Sequence, residues 1–229
     1  MSRLTHGTEV PLGTEVPLDE VDLLLVRHAR PLLRSGVPAA RWSIDPEALL
    51  EVDALAHSLE SHLPDVSDTL VTGTIVASHE PKAVATAREL GREWGRSVGQ
   101  ASGLEEHHRG PLPIVDDFTW RATVGRLFTS PETLVFGEET GAEALQRFVT
   151  GVDSVLAAAL SRGDRLTTIV SHGTVITLYL AAANHLDSIE FWSSLAMPEA
   201  LLVRSRDRRL VARVGADGEL RRPGNSHHQ

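Results

Sequence analysis

Short apolar runs that stop abruptly at polar residues alternate along this chain with longer stretches whose apolar residues recur at helical spacing. The first run, Leu23 to Val26, is followed by Arg27-His28-Ala29-Arg30-Pro31. Four aliphatic residues in succession suit a strand buried on both faces, with the charges at its carboxyl end. Pro31 to Ile44 carries Pro, Gly, Ser and two arginines and reads as a loop over that end. Asp45-Pro46 then forms an N-cap and a first helical position, and the helix runs to about Leu63 on a buried face of Leu49, Val52, Leu55, Ala56 and Leu59, with Pro64 ending it. Gly73 to Ser78 is a second strand, closed by His79-Glu80-Pro81 and a helix from Lys82 to about Trp94.

The segment 99–117 is rich in Gly, Pro and charge and reads as a long polar loop. Asp117 to Leu127 is a short helix, Pro131 to Thr140 a loop, and Ala142 to about Leu160 a long helix with Leu145, Phe148, Val149, Val152, Val155 and Leu156 as its core stripe. Leu166 to Ser171 is the third strand, ending in His172-Gly173 before a helix from Thr174 to Ala183. Ala200 to Arg204 and Leu210 to Val214 form a hairpin at a sheet edge. The strand-helix alternation predicts an α/β fold, a three-layer αβα sandwich on a mostly parallel central sheet. Residues 1–20, with the hexapeptide Gly7 to Leu12 repeated at Gly13 to Leu18, form a flexible arm, residues 21–220 one domain, and residues 221–229 a disordered tail.

Composition changes the picture in two places. With 229 residues, 41% hydrophobic and only 4% aromatic, the chain supports one aliphatic core. A net charge of -9 argues against a nucleic-acid or membrane-surface role, so any anionic ligand must meet a local basic pocket. The absence of cysteine removes disulfides, thiolate metal sites and a cysteine nucleophile. The longest apolar run, Val175 to Ala183, is too short to span a bilayer, and the expected location is the cytoplasm.

Right-handed crossovers would bring the three strand ends to one side, and with them Arg27, His28, Ser78, Lys82 and His172. Two imidazoles and two cations around one point suit a tetrahedral dianion, with a histidine attacking phosphorus and the other groups holding its oxygens. A proton for the leaving oxygen would come from Glu105 or Glu106 in the overhanging loop. His107 and His108 lack the spacing of a tetrahedral metal set and read as solvated, so neither metal nor cofactor is expected. Arg30, Arg34, Arg41 and Arg109 are candidates for reading the rest of a substrate.

Four pieces of the chain resemble the histidine phosphatase superfamily, also called phosphoglycerate mutase-like: Leu25-Val26-Arg27-His28-Ala29-Arg30, Ser78-x-x-x-Lys82 with Thr86-Ala87, Leu104-x-Glu106-x-x-x-Gly110, and Val170-Ser171-His172-Gly173. They stand in the family's order and span residues 23–180. The resemblance implies that His28 is the phosphorylated nucleophile, that Arg27 and His172 bind the phosphoryl group with Lys82 in place of the usual arginine, and that Glu106 is the proton donor. His172 followed by Gly173 is similar to the branch of mutases and small phosphatases. Ala29 replaces the usual glycine, and the Ser/Thr-x-x-Asn of sugar-phosphate mutases is absent, with Pro31 to Arg34 in its place. The expected function is a metal-independent phosphomonoesterase acting on a phosphorylated small molecule, with Arg30, Ser78 and Arg109 as further substrate contacts. The alternatives are a phosphomutase and a phospho-ligand or protein-binding module that has lost turnover. Homodimerisation is left open.

Overall fold

The computed structural model describes residues 21–63, 73–110 and 116–223. The doubled hexapeptide, the arm, Pro64 and the last six residues of the expected tail lie outside them.

Seven strands form one mixed sheet: β1 Leu23–Arg27, β2 Thr74–Ala77, β3 Val98–Gln100, β4 Thr167–Ser171, β5 Glu199–Arg204, β6 Arg209–Gly215 and β7 Leu220–Arg221. Their order across the sheet is β3-β2-β4-β1-β5-β6-β7. The half from β3 to β1 is parallel, and the half from β1 to β7 is antiparallel. In register, Arg27 lies beside Ser171 on one side and Glu199 on the other. The carboxyl ends of β1, β2 and β4 therefore share one edge, with His28, Ser78 and His172 immediately beyond them.

Helices cover both faces. α1 Leu49–His62 and α2 Pro81–Glu93 pack against Leu24, Val26, Ile75, Val170 and Leu202. α4 Gly141–Arg162, α5 Gly173–Asn184 and α6 Ser188–Ser194 pack against Leu23, Leu25, Ile169, Leu201 and Val203 on the other face. Alternate residues of β1 thus enter different cores, which is why its sequence is uninterruptedly apolar. The remaining helix, α3 Asp117–Thr129, is capped by the Asp116 carboxylate, which accepts the Thr119 N–H.

The predicted elements are present, with some differences. Asp45 caps a short 3₁₀ turn, Pro46–Ala48, that leads into α1, and Leu49 is only half-buried. The segment read as a loop from residue 99 begins inside β3, a strand too short and glycine-bearing to show an alternation. The hairpin β5-β6 is not the sheet edge, because β7 pairs outside β6 and takes Arg221, the first residue of the expected tail. In α4 the buried face is built from Gly141, Ala144, Phe148, Gly151, Val152, Val155 and Ala159, while Leu145, Val149 and Leu156 stand at its half-buried margin. Small residues let α4 approach the chain closely: a Cβ on Gly151 would lie 3.0 Å from the Gly103 carbonyl carbon.

Because Leu25 has no exposed surface and Leu50 is 73% exposed, Leu25→Ala should lose about 2–5 kcal/mol of unfolding free energy. Leu50→Ala should stay within about 0.5 kcal/mol of the parent. Urea unfolding of both variants checks the assignment, and equal losses would contradict it.

Candidate active site

The shared edge opens into a cavity of about 520 Å³ whose wall includes Arg27, His28, Lys82, Glu106, Arg109 and Gly173. His28 is 6% exposed and follows directly from β1. Its Nδ1 lies 2.7 Å from the Ala29 carbonyl oxygen. A carbonyl can only accept, so Nδ1 carries the proton and Nε2 holds the lone pair. Burial, with the neighbouring His172, Lys82 and Arg27 cations and rings, pushes the His28 pKa well below its ordinary value. The ring is therefore neutral at physiological pH, as nucleophilic attack requires.

Ala29 causes no distortion at this turn. It is fully buried, and its N–H donates to Thr86 Oγ1 at 3.0 Å.

His172 is completely buried behind the cavity wall, its ring centroid 5.0 Å from that of His28. Its Nε2 lies 2.7 Å from Ser78 Oγ and 3.4 Å from Glu80 Oε1. When Ser78 donates to Nε2, the proton of the neutral ring resides on Nδ1, which has no partner among the described residues. Burial and then the Lys82 charge lower the His172 pKa far below the usual range. Ser78 thus serves the histidine and does not line the cavity.

Arg27 donates from Nη1 to the Leu195 carbonyl, while its buried Nε has no partner among the described residues. Burial lowers its pKa to about 10, which still leaves it charged near neutrality. The segment that receives it is itself held: Arg213 donates to the Ser194 carbonyl at 2.8 Å and pairs with the fully buried Glu199, whose Oε2 accepts the Ala196 N–H at 3.0 Å. On its other side the guanidinium lies against Gly173, where a Cβ would come 3.0 Å from Nε. Glycine at this position therefore makes room for Arg27 as well as keeping the start of α5 open.

Lys82 is placed in the cavity, but its ammonium is already occupied by the Glu80 carboxylate and, at 2.9 Å, by the Ala39 carbonyl. Of three donor protons, two are used and one is left for a ligand. Glu80, which sequence reasoning passed over, is the junction: Oε2 takes Lys82, and Oε1 accepts the Glu106 N–H at 2.8 Å.

Glu106 lines the cavity, whereas Glu105 turns back to accept the Gly103 N–H at 2.7 Å and faces Arg147. The Glu106 carboxylate accepts from the His107 N–H at 2.9 Å, from Arg109 Nη2 at 3.1 Å and from the Thr174 N–H at 3.3 Å. Burial alone would raise its pKa, but Arg109 and the backbone donor hold it at about 2. Before any ligand binds, Glu106 is a carboxylate.

Arg147 braces this loop by donating to the carbonyls of Gly103, Glu105 and Glu106, and pairs with Glu139 at 2.5 Å.

The other candidate arginines divide. Arg109 is in the wall, 4.3 Å over the Trp120 ring, and Arg41 also lines the cavity. Arg30 instead pairs with Asp45 at 3.4 Å and Glu51 at 3.3 Å and is absent from the wall, as is Arg34. Its charge is spent on the caps of the first helix, which follow the loop closely enough to reach it. His107, expected to be solvated, is 2% exposed and donates from Nε2 to the Glu139 carbonyl.

The order of strands and the four clustered motifs agree with what the sequence matches over residues 23–206. The chain belongs to the histidine phosphatase superfamily, branch 1. No curated protein matches it. Among solved structures, the superfamily member resembles mycobacterial glucosyl-3-phosphoglycerate phosphatase in complex with inorganic phosphate, with a TM-score of 0.57 and 19% identity over 83% of this chain and 95% of that one. A phosphoserine phosphatase mutant from Entamoeba histolytica, in complex with phosphoserine, gives a TM-score of 0.58 and 12% identity over 86% and 98%. Phosphoglycerate mutase from Bacillus anthracis gives 0.55 and 16% over 85% and 92%. At these identities the three share the fold of this histidine phosphatase superfamily chain. Among its described residues, no helix is long and apolar enough to cross a membrane.

If Gly173 makes room for the Arg27 guanidinium, Gly173→Ala should weaken inorganic phosphate binding about ten-fold, the value of roughly one charge-assisted hydrogen bond. Isothermal titration calorimetry reads this directly. Unchanged affinity would show that Arg27 does not need its present position.

Proposed function

We propose that this protein is a phosphomonoester hydrolase working through a phosphohistidine on His28. The observation that carries the reading is the state of that ring: neutral, with Nδ1–H fixed on the Ala29 carbonyl and Nε2 left as the nucleophile beside Arg27 and His172. Nε2 attacks phosphorus in line and the ester P–O bond breaks. The positive charge that develops on the imidazole is stabilised by the Nδ1–H bond to Ala29. Arg27 and the remaining Lys82 proton meet the phosphoryl oxygens, with His172 packed behind them against His28. The cations of this scheme are side chains, so it calls for no metal.

Glu106 gives a proton to the leaving oxygen, then takes one back from the water that cleaves the P–N bond, which releases phosphate and restores neutral His28. Since Glu106 is ionised in the free enzyme, its proton must arrive with the substrate. A phosphate dianion against Glu106 raises its proton affinity and competes for Arg109, whereas a monoanion delivers the proton itself. Both routes require one proton for each substrate bound. The His172 and Lys82 placements support retention of the phosphoryl group near His28 in either case.

Phosphate release from benzyl phosphate in the presence of a chelator should be abolished by His28→Ala and lowered about 10²–10⁴-fold by Glu106→Gln. The Glu106→Gln deficit should shrink on 4-nitrophenyl phosphate, whose leaving group needs no proton. A fully active His28→Ala would end the phosphohistidine reading, and transfer of phosphate to a second ester in preference to water would make the protein a mutase.

The proton requirement gives a separate pH test. With Glu106 near 2 and His28 well below its ordinary value, neither group titrates above pH 6 in the free enzyme. The substrate's second ionisation, near pH 6, then controls the profile. Log kcat/KM should fall by about one per pH unit above roughly pH 6–6.5, and a profile flat to pH 8 would show that no proton has to be brought in.

A further inference from the structure

The chain is poor in aromatic residues, 4% in all, and has four tryptophans. Trp94 belongs to the core under α1 and α2, whereas Trp42, Trp120 and Trp192 all line the one cavity that holds His28. They reach it from separate parts of the fold: Trp42 from the loop after β1, Trp120 from α3 and Trp192 from α6. Pro31, Pro38 and Met197 complete the same wall. Core packing does not require such an arrangement, since the two cores are filled mainly by aliphatic side chains, with Trp94 in one and Phe148, Tyr179 and Phe191 in the other.

Some of the polar groups around this wall are engaged, while Arg109 Nε and His107 Nδ1 have no partner among the described residues. The Trp42 indole N–H donates to the Val37 carbonyl at 2.9 Å, so the residue offers a ligand its ring. Arg109 is held between Glu106 and the Trp120 face. Arg41 and Glu138 stand on the wall with opposite charges, which gives no one-sign patch for a second anionic group. A polyol in this space would lose water from several hydroxyls and meet, over the three indoles, Pro31, Pro38 and Met197, a surface that offers them few hydrogen bonds. A flat apolar group would instead exchange water for ring contacts.

Resting on the hydrolase reading above, we infer that the substrate class is phosphomonoesters whose alcohol part is aromatic or similarly flat and apolar, with the indoles as its binding surface. Benzyl phosphate and glycerol 1-phosphate test this, because both expel a primary alcohol and differ chiefly in the group that faces the wall. The kcat/KM for benzyl phosphate should exceed that for glycerol 1-phosphate at least about ten-fold, and Trp42→Ala should cut the ratio about ten-fold while Trp42→Phe keeps most of it. A ratio near one, or one favouring the polyol, would overturn the assignment.

Calorimetric titration of the wild type with benzylphosphonate and with 2,3-dihydroxypropylphosphonate separates this inference from the hydrolase reading, because neither compound can be hydrolysed. If neither ester is turned over and benzylphosphonate still binds about ten-fold tighter, hydrolysis fails and the aromatic ligand class stands. Equal phosphonate affinities overturn the ligand class whether or not the esters are cleaved.

Discussion

The site depends on the buried carboxylate of Glu80. Arg27, Lys82 and Arg109 lie around one cavity with two buried imidazoles, and such a collection of donors would repel itself and lose hydration without a counter-charge. Glu80 supplies that counter-charge from the start of α2, holding Lys82 on one oxygen and the Glu106 backbone on the other. It thereby joins the end of β2 to the loop that overhangs β1, and it sits 3.4 Å from His172 Nε2. Glu106 does the same for Arg109. Lys82 and Arg109 are thus paired before any ligand arrives, while Arg27 keeps an unpartnered Nε, and a phosphoryl group would compete for protons that are only partly committed.

That balance accounts for how an acidic chain holds a site suited to an anion. The charge of -9 is a property of the whole chain, while the cavity gathers Arg27 and the third Lys82 proton, with the unpartnered Nδ1 of His172 buried behind its wall, at the edge where three parallel strands end. Buried polar atoms are normally satisfied. Among the described residues the buried unpartnered atoms include Arg27 Nε, His107 Nδ1, Arg109 Nε and His172 Nδ1, all on or directly behind this cavity's wall, where the protein's own hydrogen bonding is incomplete.

Much of this was legible in the chain because the strands are buried on both faces and end abruptly in polar residues. Leu23 to His28, Gly73 to Ser78 and Leu166 to His172 each announce their own sheet edge, and right-handed crossover brings those edges together. Glu80 was not legible as the hub, since a glutamate before a proline is an ordinary helix start and its partners are distant in sequence. Arg30 looked like a substrate contact because the charge of an arginine is visible in a sequence and its nearest carboxylates, Asp45 and Glu51, are not visible as neighbours. The core stripe of α4 was legible, with Leu145, Val149 and Leu156 packed half-buried at its margin, but a hydrophobic stripe undervalues the glycines and alanines at its centre, and those small residues let the helix come close to Gly103. Three-residue β3 and seven-residue α6 are too short to display a period.

The antiparallel half of the sheet has no motif, yet it fixes the Arg27-His28 motif in space. β5 pairs with β1 so that Glu199 lies opposite Arg27, and Glu199 is fully buried with Arg213 from β6 as its ion partner. Arg213 also holds the Ser194 carbonyl, and Glu199 holds the Ala196 N–H. Leu195, between those two anchors, offers its carbonyl to Arg27. A guanidinium on a long side chain has many rotamers to lose, and a carbonyl fixed from both flanks removes most of that freedom before a ligand binds. The parallel half delivers His28, Ser78 and His172 to one edge. The antiparallel half orients the Arg27 guanidinium at that edge, which is why a hairpin that carries no motif still shapes the candidate site.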